Sequence, residues 1–234
     1  MRVTSGTTVA YVVTAAVAAV SGGLHHRRVA ALTKPLPMVV LAGAAAAGWR
    51  HRSTTDNVLL AGAVAFSAAG DRAMFLEEFS GPATGEQPSE EQPSATQDRW
   101  LKIGASLFAG AQCCYSVLLS RRGARPRLRH LLPRNAVLAE SALVMARRRP
   151  ALLPVLGGYG LTLATMSALS ADVDHPQPSM TAGGALFIAS DVTIINRRHL
   201  IADPRWHVVA ETWILASYFA AQWLLINGLS RSQN

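Results

Sequence analysis

The sequence predicts an all-α polytopic membrane protein, a single membrane-embedded domain over residues 1–234 built as a bundle of eight transmembrane helices. Three observations predict it. Half of the 234 residues are apolar and only 15% are charged, a composition too apolar for a soluble domain of this size. The apolar residues come in blocks close to the ~20 residues that cross a hydrocarbon core. The blocks are rich in Gly and Ala, as in Gly43-Ala-Ala-Ala-Ala-Gly48 and Gly104-Ala-Ser-Leu-Phe-Ala-Gly110, and small residues let membrane helices approach closely.

Taken in order, the first segment is 7–24, an Ala- and Val-rich run. A cleaved signal peptide is disfavoured there, because Arg2 is its single preceding cation and further spans follow. Segment two, 35–49, starts behind Lys34, and segment three, 57–78, carries Asp71. Residues 80–98 read as a flexible acidic loop, rich in Pro, Ser, Gln and Glu. Segment four, 99–119, contains Cys113 and Cys114 side by side. Adjacent helical residues point about 100° apart, so these read as small apolar fillers, not as a disulfide or metal pair. Segment five, 131–146, is the most polar, with Arg134 and Glu140; segments six to eight are 151–170, 179–196 and 206–229.

Whether segment five crosses is decided by two opposed arguments. Omitting it gathers most arginines on one side, in line with the positive-inside tendency. Counting it makes the third and seventh helices run the same way, so Asp71 and Asp191 reach similar depth, and Lys34 approaches the same half from the opposite direction. The second argument leads to eight spans, with orientation open. The net charge of +8 resides in arginines between the blocks, such as Arg147-Arg-Arg149 and Arg197-Arg198. That placement points to anionic lipid headgroups and away from nucleic acid.

A carboxylate at membrane depth is costly and normally faces a protein interior or a watery cavity, so Asp71 and Asp191 read as functional. Other polar residues recur at helical spacing: Ser67 with Asp71, Phe108 with Gln112 and Tyr115, Tyr159 with Thr162 and Met166, and Glu211 with Tyr218 and Gln222. For Ser67, Gln112, Thr162 and Gln222, hydrogen-bonded glue between helices is at least an equal reading.

Thr33-Lys-Pro-Leu-Pro-Met38, Gly70-Asp71, Phe108-x3-Gln112-x2-Tyr115, Tyr159-x6-Met166, Gly184-Ala-Leu-Phe-x2-Ser-Asp191 and Tyr218-x2-Ala-Gln222 together resemble the lysoplasmalogenase (YhhN-like) family, in order and spacing, through almost the whole chain. The resemblance implies eight membrane helices and hydrolysis of the vinyl ether bond of lysoplasmalogen to a fatty aldehyde and a glycerophospho-base. This chain departs from the family in having Gln112 where many members have His, and an amide does not titrate. Its fifth helix is also unusually polar.

Vinyl ether hydrolysis protonates the β-carbon, and water then captures the resulting oxocarbenium ion as a hemiacetal that collapses to aldehyde and alcohol. Two carboxyls in unlike environments, one protonated and one ionised, suit it, as they do glycosidases. Asp71 and Asp191 are therefore the expected catalytic pair, with the acid unassigned. Lys34 holds the ionised partner or the substrate phosphate, or simply snorkels to the interface. Gln112, Tyr115, Tyr159, Ser190, Tyr218 and Gln222 are expected to orient substrate or water, with helix packing as the alternative.

The sequence has no HExxH and no GxSxG elbow, and no metal or cofactor is expected. The expected partners are a lysophospholipid substrate and membrane lipids, and the expected location is the cell membrane. A transporter or lipid-binding bundle is the competing class, since buried aspartates also relay protons and bind ions in carriers. A hydrolase of another lysolipid is a further alternative.

Overall fold

In lipid every backbone N–H and C=O must be satisfied within its own segment, which makes helix the only open-ended solution for these apolar blocks. The computed structural model describes residues 4–24, 27–79, 95–174, 177–200 and 203–230, and these form helices joined by short turns. In chain order they are α1 (Ser5–Gly23), α2 (Arg27–Thr33), α3 (Leu36–Ala47), α4 (Thr54–Glu78), α5 (Ala95–Ser120), α6 (Leu128–Arg148), α7 (Leu153–Ser170), α8 (Pro178–Leu200) and α9 (Pro204–Ser230). Side-chain caps begin two of them: Thr4 accepts from the Thr7 N–H and Ser53 from that of Asp56. Pro35 lies in the break between α2 and α3, yet together these form one span, Arg27–Ala47. That span starts earlier than the expected 35–49 because Lys34 and Pro35 sit within it and do not precede it.

Among the described residues, seven helical stretches are long and apolar enough to cross a membrane. The remaining long helix is α6, which occupies the expected 131–146 but carries too much charge to qualify by composition. Ion pairs fix how it runs. Before its first turn, Arg127 Nε donates to Asp172 at 2.9 Å, just past the end of α7. After its last turn, Arg149 pairs with Asp98 in the first turn of α5. α6 is thus antiparallel to both α5 and α7, and its 21 residues rise about 31 Å, close to the thickness of a hydrocarbon core. Arg134 on α6 turns inward, donating to Ser167 Oγ at 2.9 Å.

The expected acidic loop lies for the most part outside the described residues, but its last four, 95–98, form the first turn of α5. This corrects the loop boundary. Asp98 is favourable at a helix N-terminus and is held there by Arg149.

The helices close a ring in which α4 packs on α5, α5 on α7, α7 on α8, α8 on α9, α9 on α1, α1 on α3 and α3 on α4. α6 lies against α7 and α8. Tyr11, Tyr115, Met166, Phe187, Phe219 and Leu225 are buried at the centre, while Val12, Val39, Leu132 and Leu161 are exposed on the outer surface. Trp49 and Trp206, also exposed, lie at helix ends where indoles favour the interface.

Close approach of α7 and α8 depends on Gly184, where an added Cβ would fall 2.3 Å from Ser170 Oγ and 3.0 Å from the Ser167 Cα. Gly184→Ala should therefore destabilise the bundle by about 1–3 kcal/mol, read as a lower melting temperature in detergent. Gly157→Ala, where a Cβ meets no atom within 4 Å, should leave it unchanged or raised.

Candidate functional site

The C-terminal halves of α4 and α8 and the N-terminal half of α9 meet, with the α2–α3 break, around one chamber of about 90 Å³. Its walls include Lys34, Asp71, Tyr159, Ser190, Asp191 and Tyr218. The space suffices for a few waters or a small polar group. Both aspartates therefore face a common volume, and α4 and α8 run the same way.

Each carboxyl lies beside a tyrosine. Tyr218 lines the chamber beside Asp71, whose Oδ2 is buried without a hydrogen-bond partner among the described residues. The Tyr159 hydroxyl donates to Asp191 Oδ2. The Tyr218 ring is itself held edge-on by Phe108 and Phe187, at 5.8 and 5.6 Å between centroids. Gly70 makes room for this, since a Cβ there would lie 2.9 Å from Phe108 Cζ. The Gly70-Asp71 pair thus joins a close helix contact to a functional group.

Gln112, Tyr115 and Gln222 are fully buried and do not line the chamber. Their hydrogen bonds are those of the packing alternative that the sequence left open, behind Tyr159 and Tyr218. Gln222 Nε2 donates to Tyr218 Oη at 3.1 Å and to Ser67 Oγ at 2.9 Å, and Tyr115 Oη donates to Gln222 Oε1 at 2.5 Å. On the other side, Gln112 adjoins the Tyr159 hydroxyl and accepts from Thr162 Oγ1 at 2.5 Å. Ser190 lines the chamber while its hydroxyl donates to the Ile214 carbonyl at 3.1 Å, tying α8 to α9.

The chamber also carries two largely buried ion pairs, Lys34 Nζ to Glu78 Oε2 and Arg197 to Glu211 Oε2, each 2.6 Å. Sequence reading placed Lys34 here but missed Glu78, Arg197 and Glu211 as lining residues. The signal was faint: Glu211 shares a helix face with Tyr218, but Arg197 is indistinguishable in sequence from the headgroup-facing arginines. Among the described residues, no group of three or more His, Cys, Asp or Glu is placed to hold a metal.

Beside the chamber runs an apolar groove of about 400 Å³ between α5, α6 and α7. Met74, Phe108, Tyr159, Asp191 and Ile194 belong to both, so the polar and apolar volumes adjoin at Asp191. A family model described as the YhhN family matches residues 29–229, a stretch containing every chamber residue named above. The chain belongs to the YhhN family. No curated protein and no solved structure matches it. In this YhhN family member, the matched region contains α3 to α8 and all of α9 but its last residue, whereas α1 lies outside it.

Replacing Gln222 by Leu strands the buried Tyr115, Ser67 and Tyr218 hydroxyls. It should lower stability by about 1–3 kcal/mol, measured by thermal unfolding of the purified protein, and should do so whether or not ligand is present.

Proposed function

We propose that this protein is a lysoplasmalogenase-like hydrolase that cleaves the vinyl ether bond of a lysoplasmalogen through Asp71 and Asp191. The observation that carries the reading is the convergence of both carboxyls on one chamber that adjoins an apolar groove. A single-chain lipid needs that pairing of volumes, with its reactive bond at their junction. Membership of a family that includes lysoplasmalogenases supports it.

Position also supports a division of the two roles. Asp191 borders the groove, on the side where the alkenyl chain and its β-carbon would lie, and its carboxyl delivers the proton to that carbon. Asp71, which faces the polar chamber and does not border the groove, takes the anionic role in this reading and stabilises the oxocarbenium ion. Water then adds to the α-carbon and returns a proton to Asp191, which restores the acid. The hemiacetal collapses to aldehyde and glycerol alcohol, its hydroxyl proton passing to the departing oxygen. Tyr159 and Tyr218 fix the carboxyl orientations, and the Lys34–Glu78 pair stands where the phosphate side of the headgroup would enter.

Within the same reading α6 is an eighth membrane crossing, in the cell membrane, with its arginines satisfied by protein at Ser167, Asp172 and Asp98. Reporter fusions after residues 125 and 174 should then report the same side as both termini. Opposite sides for the two fusions would mean that α6 does not cross.

Asp71→Asn and Asp191→Asn should each reduce aldehyde release from lysoplasmalogen at least about 100-fold, while eluting as a single sharp peak, because Asn keeps the shape and loses the proton. Near-normal activity in both variants would make the carboxyls structural. Wild-type protein that releases no aldehyde but moves ions or lipid across vesicles would instead be a carrier.

A further inference from the structure

The groove has features that the carboxylate chemistry alone does not require. α7 forms its floor with Gly157 and Gly160, one turn apart on one helix face, and a Cβ built on either meets no atom within 4 Å. α6 supplies one wall through Leu138, Ala142 and Met145, and α5 contributes Leu101 and Ala105. At its edge Leu161, 63% exposed, brings the groove to the outer face of the bundle. That face belongs to a helix apolar and long enough to span the membrane.

The dimensions restrict what fits. About 400 Å³ is the size of a pocket for one small ligand, and a partner helix would be 10–12 Å across. The occupant must be apolar along its length yet end at Asp191 and the charged chamber. It must also pass over a floor kept clear of side chains.

We infer that the groove seats one unbranched alkyl chain, which slides in sideways from the bilayer, and that Gly157 and Gly160 keep its path open and so determine which chains are accepted. The inference deepens the proposed reaction and rests on it only in taking a lipid as the ligand. Leucine at either glycine projects into open space, so the fold survives while the path closes. Gly158 provides an internal control. It is exposed, lies outside the groove and also has open space around its Cβ.

The probe is palmitoyl lysophosphatidylcholine with a diazirine in the chain, photolysed with purified protein in phosphatidylcholine nanodiscs and mapped by mass spectrometry. Labels should concentrate on Leu138, Ala142 and Leu156 and be displaced by unlabelled palmitoyl lysophosphatidylcholine. Gly157→Leu and Gly160→Leu should each cut that labelling about tenfold, with Gly158→Leu labelled as wild type. Aldehyde release from a long-chain lysoplasmalogen should fall in the same two variants and not in the third. Groove labelling by a wild-type protein that releases no aldehyde overturns the proposed reaction and upholds the chain site. Labels scattered over the outer helix faces of the wild type overturn the chain site even where aldehyde is released. Undiminished groove labelling in both variants, at wild-type melting temperature, overturns the gating role of the glycines. If a leucine variant does not fold, the wild-type label map decides.

Discussion

Two carboxyl groups placed where an ordinary membrane helix would meet hydrocarbon impose the constraint that the rest of the bundle answers. Each lies beside a tyrosine, which brings no countercharge of its own: Tyr159 donates to Asp191, and Tyr218 shares the chamber wall with Asp71. Those phenols need partners in turn, which accounts for Gln222, Tyr115, Ser67 and Gln112 in the driest part of the protein. Apolar rings then lock the geometry, with Phe108 and Phe187 edge-on to Tyr218. Unsatisfied members of such a network cost more than an apolar core would, so the network behaves as one unit.

Much of this was legible in the sequence because membrane helices write their length and their expensive residues plainly. Asp71 and Asp191 stand out against apolar runs, and the requirement that they share a depth gives α4 and α8 the same direction. Helical spacing put Tyr218 and Gln222 on one face, where a hydrogen bond joins them. Spacing carries no information about which helix lies opposite, and here the reading fell short. Gln112, Tyr115 and Gln222 could be read either as orienting residues or as helix glue, and they lie buried behind the chamber wall. Glu78, Arg197 and Glu211 looked like ordinary helix-end charges, although partners from adjacent helices draw them into the chamber. The α5 boundary was missed for a similar reason, since Asp98 is fixed by an arginine some fifty residues away.

The chamber and the groove divide the labour by polarity. Charged pairs from four elements surround the smaller volume, and α5, α6 and α7 surround the larger one with alkyl side chains and glycine backbone. Asp191 is the carboxyl that faces both, at the seam between the volumes. An amphipathic molecule spanning that seam would be oriented by partition alone, with its head and tail seeking different solvents, before any specific contact is made.

The arginines of α6 bear on how this protein comes to be made. On insertion scales an arginine near the middle of a lone helix costs about 2.5–3.5 kcal/mol, so Leu128–Arg148 by itself gains little by leaving water. The partners that offset the cost at Arg134 and Arg127, Ser167 and Asp172, are synthesised afterwards. A crossing by α6 would therefore be a collective property: its charges find their partners only once α7 has emerged, and the two helices pair antiparallel, with Asp98 of α5 already in place to receive Arg149.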